Sequence, residues 1–180
     1  MTSRDMQPGT APTGRPGAPS GGPVGFDAHD HDRCVATALS GAEAHCAETG
    51  ARFTPVRRAA LEILLREHRA LGAYELLDRL RDAGFGGQPP VAYRALDFLV
   101  DQGFVHKVER INAFIACAHP GASHSPAFLI CRKCDAVAEA HAAPARGTLG
   151  DAARAAGFTI ERTVVEALGV CPTCAEASEA

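Results

Sequence analysis

Two Cys-x-x-Cys pairs constrain this chain more than any other feature of its sequence. Cys131 and Cys134 form the first pair, Cys171 and Cys174 form the second, and 36 residues separate them. Each pair can place two thiolates on one side of a tight turn, at a spacing that a tetrahedral zinc ion accepts. A small zinc ribbon separates its pairs by roughly 15–20 residues, so a folded unit must lie between these two. The pairs therefore predict a closed four-sulfur zinc site that stabilises the C-terminal fold.

The composition indicates the state of the thiols. The seven cysteines are an odd number, Met1 is followed by no signal-peptide core, and no apolar run is long enough to cross a membrane. We therefore expect a cytoplasmic protein with no membrane partner, whose reduced thiols can bind metal. The net charge of −3 provides no general attraction to nucleic acid, so DNA binding would depend on local arrangement.

The N-terminal half has the pattern of several short helices followed by a hairpin. Two short strands, at 104–109 and 113–117, are predicted around a turn at 110–112. This order is typical of a winged helix, in which the helix before the hairpin lies in the DNA major groove. The helices are predicted from the spacing of apolar residues, from prolines at helix starts and from glycines at helix ends. They lie at 32–49, from Thr54-Pro55 onward, at 73–83 and at 91–102.

The segment between the two cysteine pairs reads as a small α/β unit. It contains a predicted strand at 136–141, a helix at 145–156 that ends at Gly157, and a strand at 158–168 with partial alternation of apolar residues. The first 28 residues, by contrast, contain five prolines and six glycines. Such a segment cannot bury enough apolar surface to become ordered, so we expect a disordered tail.

The cysteines and histidines in and just before the first helix have simpler explanations than metal binding. Cys34 and Cys46 are predicted to be small buried apolar residues of the first helix, because neither has a metal-binding partner at a suitable spacing. His29 and His31 flank an acid just before that helix, where a solvated tail end is a simpler explanation than a metal site.

A second group of metal-binding residue types lies around and beyond the hairpin. His106 is in its first strand, Cys117 ends its second strand, His124 lies in the following loop, and Glu139 belongs to the C-terminal unit. A metal held by all four would fix the angle between the two parts of the chain. A thiolate, two imidazoles and one carboxylate suit zinc better than Fe²⁺. His106 could equally be a surface residue of the hairpin and Cys117 a buried strand residue, while His119 and His141 are spare ligands.

The sequence also resembles a known family. Residues 89–99, Pro-Pro-Val-Ala-Tyr-Arg-Ala-Leu-Asp-Phe-Leu, and residues 102–109, Gln-Gly-Phe-Val-His-Lys-Val-Glu, are similar to the recognition helix and wing of the Fur family of bacterial metal-dependent regulators. The similarity is strongest to the zinc-sensing branch of that family, and it extends over residues 32–176, including both cysteine pairs and the candidate ligands.

This resemblance implies an α+β protein made of a winged-helix DNA-binding domain and a small α/β dimerisation domain with a four-cysteine zinc site. It would bind palindromic operators of zinc-uptake genes as a zinc-loaded homodimer with two zinc ions per chain, and would repress them. The expected division of the chain is a disordered tail at 1–28, the winged helix at 29–117, a hinge loop at 118–126 and the dimerisation domain at 127–180.

The resemblance also assigns roles to individual residues. His106, Cys117, His124 and Glu139 match the regulatory zinc ligands of the zinc-sensing branch one for one. In the DNA-binding domain, Tyr74 and Arg94 are expected to contact bases, and Tyr93 to pack against bases or backbone; partial burial of both tyrosine rings is the alternative. We expect Arg57 and Arg58 to contact phosphates.

Three other functions remain open at this stage. An iron or peroxide sensor of the same family would bind Fe²⁺ at the second site, although such relatives often carry a His-x-His pair where this chain has His124-Ser125-Pro126. A zinc hydrolase would need an open position on the metal, and four protein ligands leave none. A zinc-stabilised protein-interaction module would bind no specific DNA sequence.

Overall fold

The computed structural model describes residues 31–67, 69–121, 124–142 and 147–177. The predicted tail at 1–28, and His29 beside it, lie outside these residues. Among the described residues, no helix combines the length and the apolar character needed to cross a membrane. The elements are α1 His31–Thr49, α2 Pro55–Arg66, β1 Leu71–Gly72, α3 Ala73–Asp82, α4 Pro89–Asp101, β2 Val105–Val108, β3 Ala113–Ala116, β4 Ser125–Cys131, β5 Val137–Ala142, α5 Thr148–Ala155, β6 Val165–Gly169 and α6 Pro172–Glu176.

The α+β class predicted from the sequence is confirmed. The first four helices agree with the predicted ones to within about two residues, and the largest difference is the start of α4, which is Pro89 rather than Val91. Two consecutive prolines suit the first positions of a helix, where no backbone N–H is needed. The hairpin of β2 and β3 follows, and the short β1 adds to its other side, giving a three-stranded sheet of order β1-β3-β2.

We call the hairpin from Val105 to Ala116 the wing. Its predicted turn at 110–112 is a short 3-10 turn, Glu109–Ile111, followed by Asn112 in the left-handed region with φ of 47°. Asparagine tolerates that backbone conformation better than most residues do. The turn brings β3 back in register with β2, so that His106 lies opposite Ile115.

The C-terminal unit is built on a second three-stranded sheet. β4 is its central strand, with β5 antiparallel on one side and β6 parallel on the other. β4 was not predicted, and it begins at Ser125, inside the stretch 118–126 that the sequence suggested as a hinge. The helix predicted at 145–156 is observed from Thr148 to Ala155, and residues 145 and 146 lie outside the described part.

The predicted strand at 158–168 is wrong in its N-terminal part. Residues 158–164 have no regular structure, and β6 begins at Val165. The reason is the position of the partner strand: β6 pairs with β4 from Val165 opposite Ala127 to Gly169 opposite Cys131. The alternation of apolar residues before Val165 favours a strand, but a strand also needs a neighbouring backbone to pair with, and the pairing with β4 begins only at Val165.

Two apolar clusters organise the described residues. The first fills the helical domain and includes the fully buried Leu76, Leu96 and Leu99. Cys46 lies in it as predicted, whereas Cys34 is exposed. The helix explains the difference, because Val35, Leu39, Ala42 and Cys46 form the inward stripe of α1 and Cys34 lies one position outside it.

The second cluster, which we call the seam, joins the wing to the C-terminal sheet. Val108, at the end of β2, packs there with Phe128 and Val137 of the second sheet, and all three are at most 1% exposed. A backbone bridge between Arg69 and Ala136 connects the same two parts of the chain. The helical and C-terminal units are thus packed against each other. The remaining buried members of the seam are Ala70, Ala113, Ile115 and Ile130.

Candidate metal centre

The four cysteines of the two pairs come together in the structure. Their sulfur atoms lie within 4.8 Å of one another, and the Cys134 and Cys171 sulfurs are 3.7 Å apart although these residues are 37 positions apart in sequence. Around a tetrahedral zinc with thiolate ligands, neighbouring sulfurs are separated by roughly 3.8 Å. In the first pair, Cys131 ends β4 and Cys134 lies in the turn that follows, and the second pair spans the start of α6, where Cys171 precedes Pro172.

Backbone groups favour ionisation of one thiol in this cluster, Cys131. The buried amide of Cys171 donates to the Cys131 sulfur at 3.3 Å, and such amide contacts lower the pKa of the Cys131 thiol to about 6. Contacts with Cys134 and Cys171 raise the pKa of Cys174 to about 12. Four thiolates at these distances repel one another, so a cation must balance them. The donor set therefore fits a closed, thiolate-rich metal site.

The second predicted ligand set is also brought together. The donor atoms of His106, Cys117, His124 and Glu139 lie within 4.8 Å of one another. The two imidazole Nε2 atoms are 3.2 Å apart, and Nε2 of His124 is 3.6 Å from the Cys117 sulfur and 2.8 Å from Oε1 of Glu139. The distances of 3.2 and 3.6 Å are close to the roughly 3.3–3.8 Å between neighbouring ligands of a tetrahedral metal. The 2.8 Å contact is shorter and is a hydrogen-bond distance.

At this second cluster, burial and hydrogen bonding have opposite effects on the pKa of Glu139. Glu139 is 5% exposed, and among the described residues it is the one buried residue with a charged side chain. Burial alone would raise its pKa, but hydrogen bonds from His106, from the Ala118 amide and from His124 outweigh burial and lower the pKa to about 2. Burial, with the nearby Glu139 charge, raises the pKa of Cys117 to about 12. A metal ion would stabilise the thiolate that the protein alone disfavours.

The cluster lies at the junction of the two units. His106 comes from β2, Cys117 directly follows β3, and Glu139 comes from β5 of the C-terminal sheet. The Glu139 carboxylate also accepts the Ala118 amide at 2.8 Å, so it already contacts the chain where the wing ends. A single ion at this point would be held by both units.

The spare histidines have different positions. The His119 amide donates to the Cys117 sulfur at 3.4 Å, and the His119 ring lies edge-on to His124 with 6.3 Å between their centroids. His119 is therefore next to the second cluster. His141 lies on β5, and its side chain is outside the described part of the structure.

The residues expected to read DNA are on exposed surfaces of the helical domain. Tyr74, at the start of α3, is 66% exposed, and Tyr93, in the first turns of α4, is 43% exposed. These exposed fractions leave less room for the alternative of partial burial at Tyr74 than at Tyr93, and contact of either ring with DNA stays a prediction. Arg94 is exposed, and its Nε donates to the Pro90 carbonyl at 3.0 Å. That bond leaves its terminal nitrogens for other partners.

The two arginines expected at phosphates are engaged within the domain. The guanidinium carbon of Arg57 lies 3.7 Å from the ring centroid of Phe98, and Arg57 also donates to the Arg52 carbonyl. Arg58 forms ion pairs with Glu43 at 2.8 Å and with Glu62 at 3.3 Å. Their contact with phosphates stays a prediction, and these contacts weigh against it.

Sequence reasoning missed two residues that support the site from the C-terminal sheet. Phe128 is fully buried, and its ring centroid is 5.8 Å from that of His106. Glu166 accepts hydrogen bonds from two backbone amides of the wing turn. An unpredicted strand carries Phe128, and nothing in the sequence around Glu166 indicates a partner 56 or 57 residues earlier.

Known proteins of similar sequence and structure identify the family of this chain. No family model matches the chain. The Zinc uptake regulation protein of Escherichia coli K12 is 41% identical over 139 residues, which are 77% of this chain and 81% of that protein. A solved zinc uptake regulator complexed with zinc and DNA is 39% identical, with a TM-score of 0.77, and the match covers 81% of this chain and 98% of that one. The holo form of XcZur is 41% identical, with a TM-score of 0.70, and the match covers 78% and 98% of the two chains. The chain therefore belongs to the Fur family of metal-dependent regulators, close to the zinc uptake regulators.

Proposed function

We propose that this protein is a zinc-responsive transcriptional repressor that binds operators of zinc-uptake genes as a zinc-loaded dimer. Because operators are on the chromosome, we place its action in the cytoplasm. In this function the winged helix, at 29–117, carries the DNA-reading side chains. The stretch at 118–126 links it to a dimerisation domain at 127–180.

One observation carries the proposal: four metal-binding side chains converge where the two units meet. His106 and Cys117 belong to the wing and its end, whereas Glu139 belongs to the C-terminal sheet. Zinc there supplies a charge that holds these donors together. The angle of the helical domain on the sheet then depends on how much zinc is available, and two such domains in a dimer reach two operator half-sites only at one spacing.

The four-cysteine cluster has a different role in the proposal. It connects the turn after β4 to the start of α6, so its metal-binding free energy is folding free energy. We assign one permanent zinc to Cys131, Cys134, Cys171 and Cys174, and one exchangeable zinc to His106, Cys117, His124 and Glu139. The stoichiometry is then two zinc ions per chain.

The surface of the C-terminal unit supports a dimer. Large apolar side chains are exposed on β4, on α5, on β6 and in the segments that follow α5 and β6, and exposed apolar surface is typical of protein interfaces. The partner in a symmetric dimer is the same face of a second copy. The exposed side chains are Leu129, Leu149, Phe158, Leu168 and Val170, which are 37–67% exposed.

An iron or peroxide sensor of the same family is less consistent with the second cluster. Its donors include the Cys117 thiol, and a soft thiolate with two imidazoles favours zinc over Fe²⁺. The solved relatives with about 40% identity are zinc uptake regulators.

A zinc hydrolase is disfavoured by the same geometry and by the relatives. Four protein donors already surround the second position, whereas a catalytic zinc keeps one position for water. The relatives named above are regulators of transcription rather than enzymes.

The deciding experiment combines stepwise chelation of zinc with measurement of the fold and of DNA binding. Zinc per chain, far-ultraviolet circular dichroism and fluorescence anisotropy with an operator duplex are recorded on the same samples. We expect two zinc ions per chain. The first should leave with loss of DNA binding and no change in fold, and the second should leave only with unfolding.

Other outcomes have clear meanings. A single zinc that is essential for folding, with no exchangeable zinc, would exclude zinc sensing at the second cluster. Tighter binding of Fe²⁺ than of zinc in buffered competition would favour an iron sensor. Hydrolysis that disappears in a folded His124→Ala variant would support an enzyme, and absence of specific DNA binding at every zinc level would support an interaction module.

A further inference from the structure

The turn of the wing is held by a carboxylate from the C-terminal sheet. Oε1 of Glu166 accepts the backbone amide of Glu109 at 2.7 Å, and Oε2 accepts the amide of Arg110 at 3.0 Å. Both oxygens are used, one for each of two consecutive amides, which is the bidentate arrangement that gives strong, directional hydrogen bonds. Glu166 is on β6, which the resemblance to known regulators did not bring into the site.

Glu166 belongs to a row of residues that crosses the sheet. Phe128 on β4 lies in register with Glu139 on β5 and with Glu166 on β6. Cross-strand partners share a face of the sheet, so the three side chains line up on the face that meets the wing. Glu139 reaches the base of the wing at Ala118, Phe128 packs beneath the His106 ring, and Glu166 reaches the turn at the tip.

The row therefore contacts the wing at both ends. A body attached at one point can still rotate about it, whereas attachment at two separated points fixes its direction. The metal cluster provides the contact at the base. The Glu166 carboxylate provides the contact at the tip without any metal.

We propose that Glu166 is a positioning residue that fixes the wing on the C-terminal sheet and thereby strengthens both zinc binding at the second cluster and DNA binding. The inference rests on the proposed function, which it deepens by naming a residue that regulates the same site. Because zinc and the Glu166 contact favour the same arrangement of the two units, weakening either one weakens the other by the same factor.

The size of the effect follows from the exposure of the contact. Glu109 and Arg110 are exposed, and Glu166 is half-buried, so solvent reduces the strength of these charge-assisted bonds. The seam also holds the wing, and the bridge between Arg69 and Ala136 holds the rest of the helical domain against the C-terminal unit. We therefore expect a loss of about 5- to 30-fold in zinc affinity and in DNA affinity when both bonds are removed.

The test compares Glu166→Ala and Glu166→Gln with a matched control, Glu161→Gln, which changes an exposed carboxylate just before β6. Glutamine keeps the shape but can accept only one of the two amides, and its own NH₂ group faces the other. Amide hydrogen exchange at Glu109 and Arg110 is measured in the zinc-loaded full-length protein. Affinity for exchangeable zinc is then measured by chelator competition, and operator affinity at saturating zinc by anisotropy.

The expected result is faster exchange at both amides in the two Glu166 variants. Zinc and DNA affinity should both fall, more in the alanine variant, while the zinc of the four-cysteine cluster and the circular dichroism stay unchanged. Unchanged exchange would overturn the proposal, and so would faster exchange with unchanged zinc affinity, which would mark Glu166 as a local cap of the turn. Loss of the four-cysteine zinc in the glutamine variant would also overturn it, because the role would then be general stability. If the unsubstituted protein does not bind DNA with zinc, the proposed function fails, whereas the exchange and zinc measurements contain no DNA and still decide the role of Glu166.

Discussion

His124 and Glu139 are joined by a 2.8 Å contact between Nε2 and Oε1, and the other Glu139 oxygen accepts the amide of Ala118. A single carboxylate thus orients an imidazole of the candidate metal cluster and the chain segment that leaves the wing. Loss of even an outer partner that orients a metal ligand typically reduces metal affinity by about 10- to 100-fold, so loss of a ligand should cost at least as much.

Glu139→Gln tests this relationship. It retains the size of the side chain but removes the charge, so we expect exchangeable zinc to bind at least about 10-fold more weakly and zinc-dependent DNA binding to weaken accordingly. Chelator competition and anisotropy measure the two effects. Glu48→Gln, at an exposed position of α1, serves as the control. Equal zinc affinity in Glu139→Gln and the unsubstituted protein would remove Glu139 from the ligand set.

Zinc binding should release a proton from Cys117 at neutral pH. Burial and the Glu139 charge raise the pKa of this thiol to about 12, so it is protonated until a metal takes the place of the proton. Zinc affinity should consequently rise with pH. Calorimetric titration in buffers of different ionisation enthalpy gives the number of protons released. Cys117→Ser should release fewer, and an unchanged number would show that Cys117 is not a ligand.

Removal of a thiol from the four-cysteine cluster should prevent folding of the C-terminal unit. Structural zinc contributes roughly 10–16 kcal/mol in zinc-finger peptides, which is comparable to the whole stability of a typical domain, about 5–15 kcal/mol. Cys171→Ser, at a buried position, should therefore lose zinc and structure, as measured by metal analysis and thermal unfolding. Cys34→Ser, at an exposed cysteine of α1, should behave like the unsubstituted protein. A folded, dimeric Cys171→Ser protein would argue that the cluster is dispensable.

Arg94 should discriminate between bases. Arg94→Lys replaces a planar group that can address guanine O6 and N7 with a point charge, and we expect a loss of about 1–3 kcal/mol of specific binding. Nonspecific binding and its dependence on salt should change little, because the positive charge is retained. Operator and scrambled duplexes compared over a salt series measure both quantities. An equal loss on both duplexes would assign Arg94 to the backbone instead.

Substitution of Arg57 distinguishes packing on Phe98 from contact with a phosphate, which the sequence alone cannot do. Its stacking on Phe98 predicts that Arg57→Ala lowers the free energy of unfolding by about 0.5–1 kcal/mol, with no change in the salt dependence of DNA binding. Denaturant unfolding and a salt titration are the measurements. A decrease of nearly one unit in the slope of log affinity against log salt would restore Arg57 as a phosphate contact.

Both candidate metal clusters could be predicted from the sequence, and the reasons differ. Cys131 and Cys134 are three residues apart in sequence, so local geometry alone suggests a shared ligand. The second set has no such spacing; residue type and position suggested it, and resemblance to a known family matched its members one for one. The structure then brings His106 and Glu139 to the same point because β2 and β5 meet at the seam.

Other features depend on long-range packing and could not be predicted. Glu166 lies at the start of β6, and that start is defined by the pairing of β6 with β4. The sequence placed part of β4 in the predicted hinge. The position of Phe98 beneath Arg57 likewise depends on how α2 packs against α4. Periodicity identifies which face of an element is apolar, but it does not identify the element that covers it.

The apolar seam has a consequence for how this regulator responds to temperature. Val108 remains packed against Phe128 and Val137 only while the helical domain rests on the sheet, and apolar contacts of this kind weaken on cooling. If zinc binding closes this contact, it buries apolar surface and carries a negative heat-capacity change. The zinc concentration at which the protein switches would then be set partly by Phe128 and its neighbours, so a cell in the cold would need more zinc to reach the same degree of repression.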